Sequence, residues 1–186
     1  MGNRLTRHRE ALSEKHRPRG SAVIDHTGRY RYSLERVWGD ESKPVCWIML
    51  NPSTADAERD DPTIRRCIGF SWAWGYGSLV IVNLFAWRAS DPRDLRFADD
   101  PIGPENDRAI SRAVTNTDMV VAAWGVPPSN IGHRDQKVRR DVEQMGRSLH
   151  NLGLTKGGHP RHPLYLYAGT PLERWEGLWP PAALDE

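Results

Sequence analysis

The side chains best suited to chemistry in this chain are two asparagines and two histidines, each placed beside a proline or at the end of an apolar run. Asn51 closes the run over residues 45–50 and is followed by Pro52 and Ser53. Asn83 sits near the end of a second run, residues 79–84. Trp124-Gly125 ends a third, residues 118–124, and His159-Pro160 and His162-Pro163 follow in a glycine- and proline-rich stretch. A carboxamide both donates and accepts hydrogen bonds, so it can read the edge of a nucleobase. Carboxamides, imidazoles and aromatic rings together suit a planar polar ligand. Taken alone, residues 45–56 read as a plain strand exit with Asn51 capping a turn.

These residues meet only if the fold brings three strand ends together. The runs at 45–50, 79–84 and 118–124 are short and apolar, and the first is bounded by Pro44 and Pro52, the pattern of strands buried on both faces. Helical segments separate them. Asp61-Pro62 is a helix start, with Asp as N-cap and Pro at the first helical position. Ile64, Cys67, Ile68 and Trp72 mark its inner face. Gly103-Pro104 opens a second helix, with Glu105 and Asp107 at its positive end. Residues 134–152 are expected to form one long helix on the stripe Val138, Val142, Met145, Leu149 and Leu152, capped by Gly153. Residues 21–38 read as a hairpin around Asp25-His26-Thr27-Gly28, with Tyr30, Tyr32 and Leu34 alternating with Arg29, Arg31 and Ser33. The order implies an α/β fold: a three-layer α/β/α sandwich with a mainly parallel central sheet and an N-terminal β-hairpin extension. Ligands of such sheets sit at the carboxyl ends of the strands.

Composition narrows the class. With 186 residues, 38% hydrophobic and 27% charged, the chain suits one soluble domain, residues 21–186, behind a tail. That tail, residues 1–20, holds six Lys/Arg against Glu10 and Glu14, leaving the remainder slightly acidic. It is expected to be disordered in the free protein, and a basic arm of this kind can meet phosphates. No stretch is apolar enough to span a membrane or serve as a signal peptide, so no membrane partner and a cytoplasmic location are expected. Cys46 and Cys67 read as small buried hydrophobes. No metal or other cofactor is implied. His159 and His162 lack further ligands for zinc, and among Asp56, Asp60 and Asp61 the last reads as a helix cap and the others as solvated. A third reading, a metal-assisted hydrolase using those acids, stays open. No phosphate-binding P-loop or serine-nucleophile elbow occurs.

Several motifs carry a resemblance. They are Asn51-Pro52-Ser53-Thr54-Ala55-Asp56, Asp61-Pro62-Thr63, Asn83-Leu84-Phe85-Ala86-Trp87-Arg88, Gly103-Pro104-Glu105-Asn106-Asp107 and Gly158-His159-Pro160-Arg161-His162-Pro163-Leu164-Tyr165. Together, over roughly residues 30–167, they resemble a bacterial and phage family of unknown function, DUF1643. More distantly, the order of motifs is similar to the uracil-DNA glycosylase superfamily. There a first strand ends in Asp-Pro or Asn-Pro, a second in Asn, a third in Trp-Gly, and a last motif begins His-Pro. The matches here are Asn51-Pro52, Asn83, Trp124-Gly125 and either His162-Pro163 or His159-Pro160.

That resemblance implies an enzyme hydrolysing an N-glycosidic bond in DNA or a modified nucleotide. By carry-over Asn51 positions water and His162 stabilises the departing base. Pro52, Ser53, Asn83, Arg88, Trp124, Gly125 and His159 bind substrate, with Asn83 reading the base. Two departures stand out. The serine usual after His-Pro is replaced by Leu164, and no aromatic follows the first motif closely, leaving Phe70, Trp72 or Phe85 as substitutes. The alternative is a non-catalytic nucleic-acid or nucleotide-binding module using the same pocket.

Overall fold

Strand β3, Val45–Met49, is buried at all five positions. The computed structural model describes residues 18–42, 44–128 and 132–176. β3 lies between two parallel neighbours, β4 (Ser78–Asn83) and β5 (Met119–Ala122). β6 (Leu149–Asn151) adds in parallel to β5. Outside these, β1 (Arg19–Ile24) and β2 (Arg31–Val37) form an antiparallel hairpin that joins β4, and β7 (Glu173–Arg174) pairs antiparallel with β6. The order is β1-β2-β4-β3-β5-β6-β7. The fold is therefore α/β, but its sheet is mixed rather than mainly parallel. Parallel neighbours require a crossover helix. The hairpin and the C-terminal segment have none and enter antiparallel.

The three α-helices among the described residues are the crossovers. Helix α1 (Pro62–Ala73) links β3 to β4, α2 (Asn106–Thr115) links β4 to β5, and α3 (Arg134–Gln144) links β5 to β6. Alternation along the strands sends their side chains to two apolar clusters. Trp47, Met49, Ile81 and Val121 pack with Ile64, Cys67, Ile68 and Phe70 of α1. Ile48, Val82 and Ala122 pack with Ile110 and Val114 of α2 and with Val138 and Val142 of α3. Chain order reverses at β3, since β4 lies on one side of it and β5 on the other. A crevice is expected outside the carboxyl end of such a strand.

α1 starts as its sequence dictates. Asp61 accepts the Ile64 N–H at 2.8 Å, and Pro62 occupies the first turn. Its inner face differs from expectation. Trp72 is 43% exposed, and the face is completed by Phe70 and by Ser71, whose hydroxyl accepts the Trp47 indole N–H at 2.9 Å.

The long helix expected over residues 134–152 is two elements. α3 stops at Gln144, and Gly146 takes φ +71°, a left-handed conformation that glycine alone adopts readily. Leu149 then belongs to β6, and Met145 lies at the surface. The helical stripe continued in sequence only because buried positions of the next strand happened to fall in register with it. The basic tail lies almost wholly outside the described residues; β1 takes up its last two, Arg19 and Gly20.

Candidate functional site

The expected strand ends do converge. β3 and β4 run in register with Met49 beside Asn83, and β3 and β5 with Ile48 beside Ala122. Asn51 therefore follows the end of β3 between the ends of β4 and β5. Asn51 is half-buried, and its Nδ2 donates to the carbonyls of Ala89 at 2.8 Å and Pro52 at 3.1 Å. The Ala89 N–H donates in turn to the Pro52 carbonyl at 2.9 Å. Asn51 and Pro52 thus tie the β3 exit to the β4 exit. Ser53 lies half-buried just beyond.

Asn83 is 1% exposed, yet neither its Nδ2 nor its Oδ1 has a hydrogen-bond partner among the described residues. Its backbone is well held, since Asn106 Nδ2 donates to the carbonyls of Asn83 and Leu84, both at 3.0 Å. In-register pairing puts the Asn83 side chain on the Met49 face, the α1 side of the sheet. A buried carboxamide lacking partners costs on the order of 1–3 kcal/mol. A ligand edge with one donor and one acceptor would satisfy it.

His162 reaches the same side. Gly125 N donates to the Pro160 carbonyl at 2.9 Å, which holds the histidine-proline segment against the β5 exit. Arg66 of α1 secures its far end, donating to the carbonyls of Pro163 and Leu166. His162 Nδ1 accepts the Leu164 N–H at 3.3 Å, so the proton of the neutral ring sits on Nε2. Burial pushes the His162 pKa below its usual 6.5, partly opposed by the negative charge of Asp61. Near neutral pH this histidine is an uncharged donor.

Other expected residues are placed differently. Trp124 is 1% exposed and points to the opposite face, tilted against Trp175 with ring centres 5.6 Å apart. Only its neighbour Gly125 lies beside His162. His159 stands 3.5 Å from Asp135 in the first turn of α3. Arg88 follows the β4 exit, where its Nη1 donates to the Gly28 carbonyl at 3.2 Å and its buried Nε has no partner.

No candidate aromatic is placed to stack on a base. Phe70 and Phe85 are core residues. Trp72 lies ten residues along α1 from its start, about 15 Å at 1.5 Å per residue. The acids are occupied too. Asp56 accepts from the Glu58 and Arg59 N–H groups, Asp60 pairs with Arg36 at 2.8 Å, and Asp61 caps α1. Among the described residues no group of three His, Cys, Asp or Glu side chains is arranged to hold a metal. Burial raises the pKa of both thiols, that of Cys46 to about 12, so neither is a ready nucleophile. No helix among those residues is long and apolar enough to cross a membrane.

One residue that sequence reasoning passed over lies here. Arg31 is 2% exposed, with Nη1 donating to the Ala55 carbonyl at 2.8 Å and a buried, unpartnered Nε. Desolvation brings its pKa down to about 10, against the favourable charge of Asp61. In the sequence it is one of Arg29, Arg31 and Ser33, which alternate with Tyr30, Tyr32 and Leu34, and nothing in that pattern singles it out.

A cavity of about 840 Å³ opens elsewhere, between β2 and α2 near the start of β4. It is lined by Glu35, Glu41 and Glu105 together with Arg108 and Arg112, and none of its lining side chains has a buried unpartnered polar atom. At the strand ends, by contrast, Asn83, Arg31 and Arg88 hold buried polar atoms without partners.

The family model for a protein of unknown function, DUF1643, matches residues 31–164, from Arg31 at the start of β2 to just past His162. The chain belongs to that family. No curated protein and no solved structure matches it.

Proposed function

We propose that the site at the carboxyl ends of β3, β4 and β5 recognises a nucleobase and hydrolyses its N-glycosidic bond, in DNA or in a modified nucleotide. The observation that carries this reading is Asn83, a carboxamide 1% exposed at a strand end with donor and acceptor both unpartnered. A base edge presents the complementary pair. The order of the motifs, similar to that of the uracil-DNA glycosylase superfamily, supports the same chemistry. The two buried free thiols, Cys46 and Cys67, fit a reducing cytoplasm.

In this mechanism a water oxygen bonds to the sugar C1′ as the C1′–N bond breaks. The bonding electrons leave with the base, and the water proton passes to solvent. Asn51 Oδ1 orients the water, since its Nδ2 is fixed on the Ala89 and Pro52 carbonyls. His162 Nε2–H donates to the departing base anion, a stabilisation strongest in the transition state. An amide oxygen is no strong base, so the site works through orientation and leaving-group stabilisation.

One observation favours a second reading, a non-catalytic nucleotide-binding module. Both Asn51 amide protons brace neighbouring loops, a role that needs no reaction. Single-turnover base release from a panel of damaged-base duplexes and modified nucleotides separates the two. Release from any of them, lost in His162→Ala that still folds, supports the enzyme. Ligand binding without release from any substrate moves the module ahead.

A further inference from the structure

The hairpin delivers to the site a buried cation that forms no ion pair among the described residues. β1 and β2 pair Val23 with Ser33 but Ile24 with Arg31, so Tyr32 is one extra residue on β2. Such a bulge re-aims the side chain beside it. The ladder then continues toward the β4 exit. Arg31 N donates to the Ala86 carbonyl at 3.0 Å, Tyr30 bridges Trp87, and Arg88 N donates to the Arg29 carbonyl at 2.8 Å. Alternation places Arg29, Arg31 and Arg88 on one side, with Tyr30 and Trp87 on the other. The two rings do meet edge to face, with centres 5.4 Å apart. The Arg31 guanidinium reaches Ala55, a member of the apolar cluster on the α1 side, the face on which Asn83 lies.

No carboxylate among the described residues pairs with Arg31 or Arg88. Asp61 and Asp56 are the acids whose charge reaches Arg31, but from a distance: Asp61 accepts an N-terminal N–H of α1 and Asp56 two backbone N–H groups, and neither touches the guanidinium. Arg36 is answered by Asp60. Two guanidinium Nε atoms and both polar atoms of Asn83 are thus buried without partners on the same side of the sheet. Burying a cation without a contacting counter-ion is expensive, and an anion arriving in contact relieves the expense.

The geometry points to a phosphate seat formed by Arg31 and Arg88 beside Asn83, so that the ligand is a phosphorylated nucleoside rather than a free base or nucleoside. The seat itself needs only the two arginines; the nucleoside part rests on the function proposed above. Guanidinium forks match phosphate oxygens, and a lysine at the same place supplies only a point charge.

The full chain is titrated with inorganic phosphate, with nucleoside 5′-monophosphates and with the matching nucleosides, by calorimetry. Arg31→Lys and Arg88→Gln are titrated alongside, with circular dichroism to check folding. Monophosphates are expected to bind at least about tenfold tighter than nucleosides, and each variant to lose about that factor. Equal binding of the two ligand classes, no phosphate binding at all, or a preference that survives in both variants overturns the seat. Arg88 is partly exposed, so Arg88→Gln decides alone should Arg31→Lys fail to fold. Arginine-dependent phosphate binding that is indifferent to the base, or in which the nucleoside adds nothing, keeps the seat and removes the nucleobase reading. Base discrimination without phosphate dependence does the reverse.

Discussion

His162 lies against Gly125: a β-carbon built on Gly125 would stand 3.6 Å from the His162 Cβ. That is ordinary van der Waals contact, so space is not what requires glycine there. The backbone is, because Gly125 has φ +75° while its N–H holds the Pro160 carbonyl. Gly125→Ala is therefore expected to cost about 1–2 kcal/mol in stability through left-handed strain. It should also disturb the segment that carries His162, which thermal melting and ligand titration of the variant would register together. An unchanged melting temperature would mean that the loop relaxes freely and that Gly125 does not fix His162.

Asn83 gives a sharper signature, since a residue kept for a ligand at the expense of the free fold should stabilise when replaced. Asn83→Leu removes an unpartnered amide, a penalty on the order of 1–3 kcal/mol, and fills a similar volume. The expected result is an equal or higher melting temperature with loss of base discrimination. A clear fall in melting temperature would show that Asn83 already has its partners in the free protein.

The contrast between Asn83 and Arg31 shows what the sequence could disclose. Asn83 was legible because an apolar run ending in Asn is a strand exit, and parallel strands share one carboxyl edge. β3, β4, β5 and the Asp61 cap were legible for the same reason: burial on both faces and a proline at a helix start leave plain marks. Arg31 was not, because a one-residue bulge reverses which side of a strand faces in, and nothing in an alternating pattern announces it. Trp124 was read as a pocket residue because Trp-Gly ends a strand, but alternation sends it to the opposite face. β6 was hidden because three residues are too few to show a period of two.

The pH dependence of stability follows from His162. Its folded pKa lies below the usual 6.5 because burial disfavours the charged ring. As pH falls through 6.5 the unfolded chain takes up a proton before the folded one, so the unfolded state binds more protons there and stability drops. Above about 6.5 the contribution is fully present. His150, also shifted down by burial, adds a slope of the same sign. Melting temperatures between pH 8 and pH 5 should thus fall below about 6.5, and His162→Gln should flatten part of that fall. Parallel curves for the two proteins would mean that His162 titrates as freely when folded as when unfolded.

Asn51 carries the question of whether the site performs a reaction, because its two ends have different tasks. Nδ2 braces the carbonyls of Ala89 and Pro52, while Oδ1 is the atom assigned to the water. Asn51→Ala removes both functions. It should lower stability by about 1–2 kcal/mol through the lost donors, and lower single-turnover base release in the folded protein by on the order of a hundredfold. Asn51→Asp separates them. A carboxylate facing two carbonyls loses the brace, so the melting temperature falls at least as far as in the alanine variant. The same carboxylate is a stronger base toward water, so the rate in the folded fraction should be retained or rise. If both variants only melt earlier and release base at the wild-type rate, Asn51 is a brace and the attacking water is held elsewhere. If Asn51→Asp loses rate as completely as Asn51→Ala, loop placement rather than water activation is what Asn51 contributes.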